Sequence, residues 1–149
     1  MAESDLIKLY SGRILELAAD IPRLGRLDTP DATIKKRSPL CGSTVVVDLV
    51  MQDGKVTAFA QDVKACALGQ AAAAVVGGAI VGSSEAQILA ARDSLRAMLK
   101  ADGPTPAAPF DGFEVLRPAA AYKNRHASIL LSIEAAAEAC AKVRETHSA

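Results

Sequence analysis

Two cysteines frame the stretch of this chain with the most chemistry in it. Cys41 lies in Ser38-Pro39-Leu40-Cys41-Gly42-Ser43, and Cys66 lies 25 positions later in Ala65-Cys66-Ala67. The first sits in a Pro/Gly turn just ahead of a strand. The second follows the return strand, where a helix begins. A hairpin between them folds both thiols to one end of a small sheet. Thiols gathered in this way hold metal or do sulfur chemistry. The dipole and free amides of a helix start favour thiolate over thiol at Cys66. Gly42 carries no side chain to block approach to Cys41. His126 opens the last expected helix, so its imidazole is placed to turn toward the same end of the sheet. Cys41, Cys66 and His126 match a transition-metal site in ligand type. Against this stand the plainer readings, a buried structural cysteine and an ordinary polar residue at a helix start. Asp62 and Lys64, just before Cys66, are either modulators of the thiol or surface charges.

The elements that must position these residues are legible as pattern. Asp5 to about Asp20 reads as a helix, with Leu6, Tyr10, Ile14 and Leu17 on one stripe and Ser4 as N-cap. Thr33 to Arg37 is a short edge strand whose basic run guards the edge or docks an acidic partner. Thr44 to Met51 and Val56 to Val63 are strands joined at Asp53-Gly54, a hairpin turn signal. Two-sided apolar content in Val45-Val46-Val47 predicts helices over at least part of both sheet faces. Ala67 to about Val81 is an alanine-rich helix. Ser84 and Gln87 form a capping box for a helix that runs to about Lys100. Ala101 to Pro109 is a loop, Asp111 to Ala121 a short helix, and a last helix starts near Arg125. Cys140 falls on the apolar side of that helix and is expected in the core.

Composition narrows the classes. The 149 residues form one domain, half of them apolar. Seventeen residues of each sign cancel, so there is no nucleic-acid footprint. No apolar run is long enough to span a bilayer, and the first residues lack a basic signal-peptide region. Three cysteines do not make a disulfide framework, and the chain is expected in the cytoplasm with reduced thiols.

Several of these residues together carry a family resemblance. Leu9-Tyr10-Ser11 with Pro22-Arg23 and Gly25, Pro39-Leu40-Cys41-Gly42, Asp53-Gly54-Lys55-Val56 and Ala65-Cys66-Ala67-Leu68 resemble the U-type iron–sulfur cluster scaffolds, namely IscU, SufU and the N-terminal domain of NifU. The likeness covers nearly the whole chain, and its length after Cys66 is similar to the SufU-like branch. It implies an α+β fold, a small three-stranded antiparallel sheet packed with about five helices. It implies a non-enzymatic scaffold that assembles a labile [2Fe–2S] cluster or holds an iron ion, with Cys41, Cys66 and His126 as the ligand positions left here. The implied partners are a cysteine desulfurase and iron–sulfur acceptor proteins. Two alternatives belong to the same resemblance: a zinc-dependent sulfur acceptor, and a metal-free interaction module.

The departures are specific. The family's Asp after Cys-Gly is Ser43, and its third cysteine is missing from Asn124-Arg125-His126-Ala127-Ser128-Ile129-Leu130. One alignment puts that slot at Ala127, another at Ser128.

Overall fold

The computed structural model describes residues 11–39 and 42–148. Cys41 therefore lies outside the described residues, as do Ser4, Leu6 and Tyr10. The element order is α1 (Gly12–Ala19), β1 (Ala32–Arg37), β2 (Thr44–Gln52), β3 (Lys55–Lys64), α2 (Ala67–Ala79), α3 (Glu85–Ala101), two 3₁₀ helices (Asp111–Ala121 and Lys123–Arg125) and α4 (His126–Ser148). The sheet is antiparallel in the order β1-β2-β3. The α+β architecture implied by the resemblance is present; among the described residues one of the five longer helical segments is in 3₁₀ form.

The hairpin forms where the sequence places it. Asp53 and Gly54 both adopt positive φ, 54° and 76°, as a two-residue turn matched to strand twist requires. Register then sorts the side chains. Val45 pairs with Lys36 and Val63, Val47 with Ile34 and Gln61, and Leu49 with Ala32 and Phe59, so these rows share one face. That face meets α4, through a Lys36–Glu138 ion pair and a Ser132–Gln61 hydrogen bond. Val45, Val47, Leu49 and Phe59 are buried there with Ile129, Ile133 and Cys140.

The opposite face is crossed at its middle by the segment after α1. Asp48 on that face is fully buried. It accepts hydrogen bonds from Arg26 Nε at 2.6 Å, Arg26 Nη2 at 3.1 Å, the Leu27 amide at 3.0 Å and the Thr33 hydroxyl. The same segment adds to the edge of β3, with the Gln61 amide donating to the Arg23 carbonyl and the Gly25 amide to that of Gln61. These four donors offset the cost of burying the carboxylate.

Two helices differ from their predicted form. A single helix from Asp5 to Asp20 would run through Ser11. Instead Ser11 has ψ 162° and its hydroxyl accepts the Ile14 amide, so α1 begins at Gly12. Asp111 to Ala121 is 3₁₀, with i to i−3 bonds at its ends from Phe113 to Phe110 and from Tyr122 to Ala119. Pro118 inside it has no amide to give to an α-helical ladder. The capping box of α3 forms as read, the Ser84 hydroxyl taking the Gln87 amide and the Gln87 side chain taking that of Ser84.

Small residues let α2 sit deep. Gly69, Ala73 and Gly77 recur every fourth position. A Cβ at Gly69 would come within 2.5 Å of Ser128 Oγ, and one at Gly77 within 2.6 Å of the Pro22 carbonyl. Between them the Ala73 carbonyl accepts a hydrogen bond from Gln61 Nε2 at 2.9 Å.

Candidate thiol site at the end of the sheet

The described residues on either side of Cys41 are tied to one another. The Ser38 amide donates to the Ser43 carbonyl at 2.8 Å, and the Gly42 amide to the Ser38 carbonyl at 3.0 Å. Gly42 has φ 68°, a conformation that suits glycine. Ser43 comes next, 4% exposed, and Thr44 then enters β2 opposite Lys64.

Cys66 is the N-cap residue of α2 and is half-buried. Its Sγ lies 3.5 Å from Ser128 Oγ, which in turn lies 3.0 Å from Ser43 Oγ. Ser128 is on the first turns of α4 and only 1% exposed. Three elements therefore converge: the start of α2, the start of α4 and the turn before β2. Burial of the Cys66 sulfur works against ionisation. It is outweighed by the Ser128 hydroxyl, the amides of Gly69 and Leu68, and the positive charge of Arg125. Together these hold the thiol below its ordinary pKa. With Ser128 donating to the thiolate, Ser43 donates to Ser128, and the three groups form one directed chain. Cys140 is the contrast. Buried in the core, mainly by desolvation, its thiol is pushed up to about 12, as expected of a packing residue.

His126 is held through one ring nitrogen. Its Nε2 lies 3.0 Å from the Ala120 carbonyl and 3.2 Å from that of Ala119. The ring thus ties α4 to the longer 3₁₀ helix and stands at a cavity of about 600 Å³ shared with Leu99, Lys123 and Leu130. The structure brings Ser128 against Cys66. Among the described residues no three His, Cys, Asp or Glu side chains gather as a metal would need. Asp62 and Lys64 are exposed on β3. The cation that favours the thiolate is Arg125. The sequence marks Ser43 and Ser128 only as places where the family's Asp and third cysteine are missing; the hydrogen bonds that link them to Cys66 come from the structure. A signal existed for Ser128: it and Ser132 are hydroxyls one turn apart in the otherwise apolar run Ile129-Leu130-Leu131-Ile133.

The hydroxyl's role is measurable. A Ser128→Ala chain loses the donor to Cys66, so its thiol titrates higher. The pH profile of Cys66 alkylation by iodoacetamide should move to higher pH. A Ser43→Ala chain should show a smaller move in the same direction.

With the geometry set out, comparison with known proteins is informative. No family profile matches the chain, and no curated protein matches it. Solved structures do. The chain superposes with TM-score 0.93 on a nitrogen-fixing NifU-like protein (N-terminal) from Brucella abortus, at 44% identity, covering 95% of this chain and 98% of that one. A hypothetical protein matches with TM-score 0.80 at 21% identity, covering 91% of this chain and 98% of its own. An iron–sulfur cluster assembly scaffold protein for the SUF system from Fervidobacterium islandicum AW-1 matches with TM-score 0.79 at 17% identity, covering 90% and 98%. The last two show a shared fold. The first shows more: at that identity over nearly its whole length, the chain belongs to the NifU-like N-terminal proteins of the U-type scaffold family.

Proposed function

We propose that this protein works in iron–sulfur cluster assembly as a scaffold rather than an enzyme. It receives sulfur from a cysteine desulfurase, holds iron or a labile [2Fe–2S] cluster as cargo at Cys41 and Cys66, and passes it to acceptor proteins. The observation that carries this reading is the Cys66 thiol, held toward its thiolate by Ser128 at the sheet end of a NifU-like fold. Where four thiolates would grip a cluster, hydroxyls at Ser43 and Ser128 grip it weakly, which suits cargo meant to leave. A part for His126 would use Nδ1, since Nε2 serves the 3₁₀ helix. No helix among the described residues is long and apolar enough to cross a membrane. We place the protein in the cytoplasm, where its thiols stay reduced.

The lowered thiol also favours a second reading, sulfur acceptance with or without zinc. The Cys66 thiolate would attack the outer sulfur of a desulfurase persulfide. The new S–S bond forms on Cys66, the old one breaks, and the desulfurase cysteine leaves as thiolate.

One preparation separates the readings. Protein purified without oxygen and reconstituted with iron and sulfide is assayed for iron, zinc and acid-labile sulfide, beside Cys66→Ser and His126→Ala chains. Iron with sulfide, lost in the Cys66→Ser chain, is the expected result. Equal iron and sulfide in that variant would overturn the scaffold reading. Zinc without sulfide, with faster desulfurase turnover and a persulfide on Cys66, would select the second.

A further inference from the structure

The basic run in β1 has no part in the site just described, yet strand register carries it to the site's edge. Arg37 pairs with Thr44, and Thr44 with Lys64, so these three form one row across the sheet. Lys35, Val46 and Asp62 form the next row on the same face. Arg37 lies four residues before Cys41 in the sequence, and Lys64 two residues before Cys66. Both rows are on the face away from α4, beyond the strap that Arg26 and Leu27 lay over Asp48.

Arg13, Arg26, Lys36, Arg92, Arg96, Arg117 and Arg144 each meet a carboxylate within 4.0 Å. Lys35, Arg37 and Lys64 are exposed and meet none among the described residues. Among the described residues Arg23, Lys55, Lys100, Lys123, Arg125 and Lys142 also lack a carboxylate partner, but they do not share these two rows; what sets Lys35, Arg37 and Lys64 apart is that they gather on one face at one end of the sheet. Asp62 is the one carboxylate in the two rows. The chain as a whole is formally neutral, so this excess of positive charge is local.

We propose that Lys35, Arg37 and Lys64 form a docking apron for an acidic face of the protein that delivers sulfur to Cys66. The inference rests on the proposed function and adds the partner's chemistry and place of contact. A protein whose reactive sulfur reaches Cys66 must lie over the neighbouring end of the sheet. Unpaired cations there draw an acidic surface into contact and set its orientation. A second copy of this chain does not fit, because its own apron would oppose this one with like charge.

The test uses the full chain and a SUF-type cysteine desulfurase. A Lys35→Glu/Arg37→Glu/Lys64→Glu chain is compared with the parent and with a Lys55→Glu/Lys100→Glu/Lys123→Glu chain of equal net charge. Circular dichroism melts and Cys66 alkylation rates establish that each variant keeps its fold and its thiol. Binding to the desulfurase is followed from low to high salt. The expected result is affinity at least about tenfold weaker, with a flatter salt dependence, in the apron variant alone. Equal binding by parent and apron variant would overturn the inference and leave the scaffold reading standing. Equal loss in both charge variants would overturn it too, by showing an effect of net charge. A parent chain that neither binds the desulfurase nor gains sulfur from it would overturn the inference together with sulfur delivery itself. Parent binding to phosphatidylglycerol vesicles in place of the desulfurase, lost in the apron variant, would assign the apron to a lipid surface and overturn the protein-partner inference.

Discussion

A Ser128→Cys chain should bind Co²⁺ and Zn²⁺ at least about 100-fold more tightly than its parent. The geometry is already close to what a metal needs. Ser128 Oγ stands 3.5 Å from Cys66 Sγ. Two sulfurs on one tetrahedral ion, each at about 2.3 Å, are about 3.8 Å apart. The hydroxyl stays protonated at neutral pH and binds soft or borderline ions poorly, whereas a thiol there ionises on binding. Gly69 has no Cβ, which is what leaves room beside position 128. Titration with Co²⁺, read by the sulfur-to-metal charge-transfer band, checks the prediction. A band as weak as the parent's would mean that a side chain at 128 cannot turn its sulfur to the ion. The same substitution should slow release of iron and sulfide to an acceptor, so tighter grip and poorer transfer are expected together.

The second large effect concerns stability. An Asp48→Ala chain should lose about 2–4 kcal/mol, read as a lower urea midpoint with unchanged slope. The substitution leaves Arg26, Thr33 and the Leu27 amide without their shared acceptor. Burial alone would raise the Asp48 pKa, but the Arg26 and Thr33 bonds, the Leu27 amide and the Arg26 charge together hold it below the ordinary carboxylate value. The sign of its pH effect follows. A carboxyl whose folded pKa is depressed stabilises fully above its unfolded value near about 4, and that stability is lost as pH falls through the folded value. Urea melts of the parent should therefore weaken on acidification below about pH 4. An Asp48→Asn chain should start weaker at pH 7 and lose less on acidification. Parallel loss in both chains would place the acid sensitivity elsewhere.

Much of this fold could be read from the sequence because its signals are local. Asp53-Gly54 sets a turn by backbone conformation alone, Ser84 and Gln87 cap one another within a single turn, and the β-branched run from Thr44 has no competing helical pattern. Readings failed where a distant partner decided. Nothing near Asp48 announces that Arg26, twenty-two positions earlier, will bury it, so a polar residue in an apolar strand did not reveal the strap. Pro118 was visible, but its consequence, 3₁₀ in place of α, depends on the segment packing against α3. At the site, Cys66 was legible from its place at a helix start. Ser128 was legible only as one of two places for the missing cysteine, because its hydroxyl gains its meaning from a thiol sixty-two positions away. The alignment had left the missing cysteine at either Ala127 or Ser128; geometry places Ser128 against Cys66.

Gln61 has one more consequence. Its side chain is buried between α2 and α4, giving a hydrogen bond to the Ala73 carbonyl and taking one from Ser132. Ala73 is one turn past Gly69, and Ser132 one turn past Ser128. The two helices that carry the site are thus riveted one turn past Ser128 and two turns past Cys66. The gap between Cys66 and Ser128 cannot open inward without shearing that rivet. Whatever Cys66 receives must therefore grow toward solvent, and each added atom makes it easier for another protein to take.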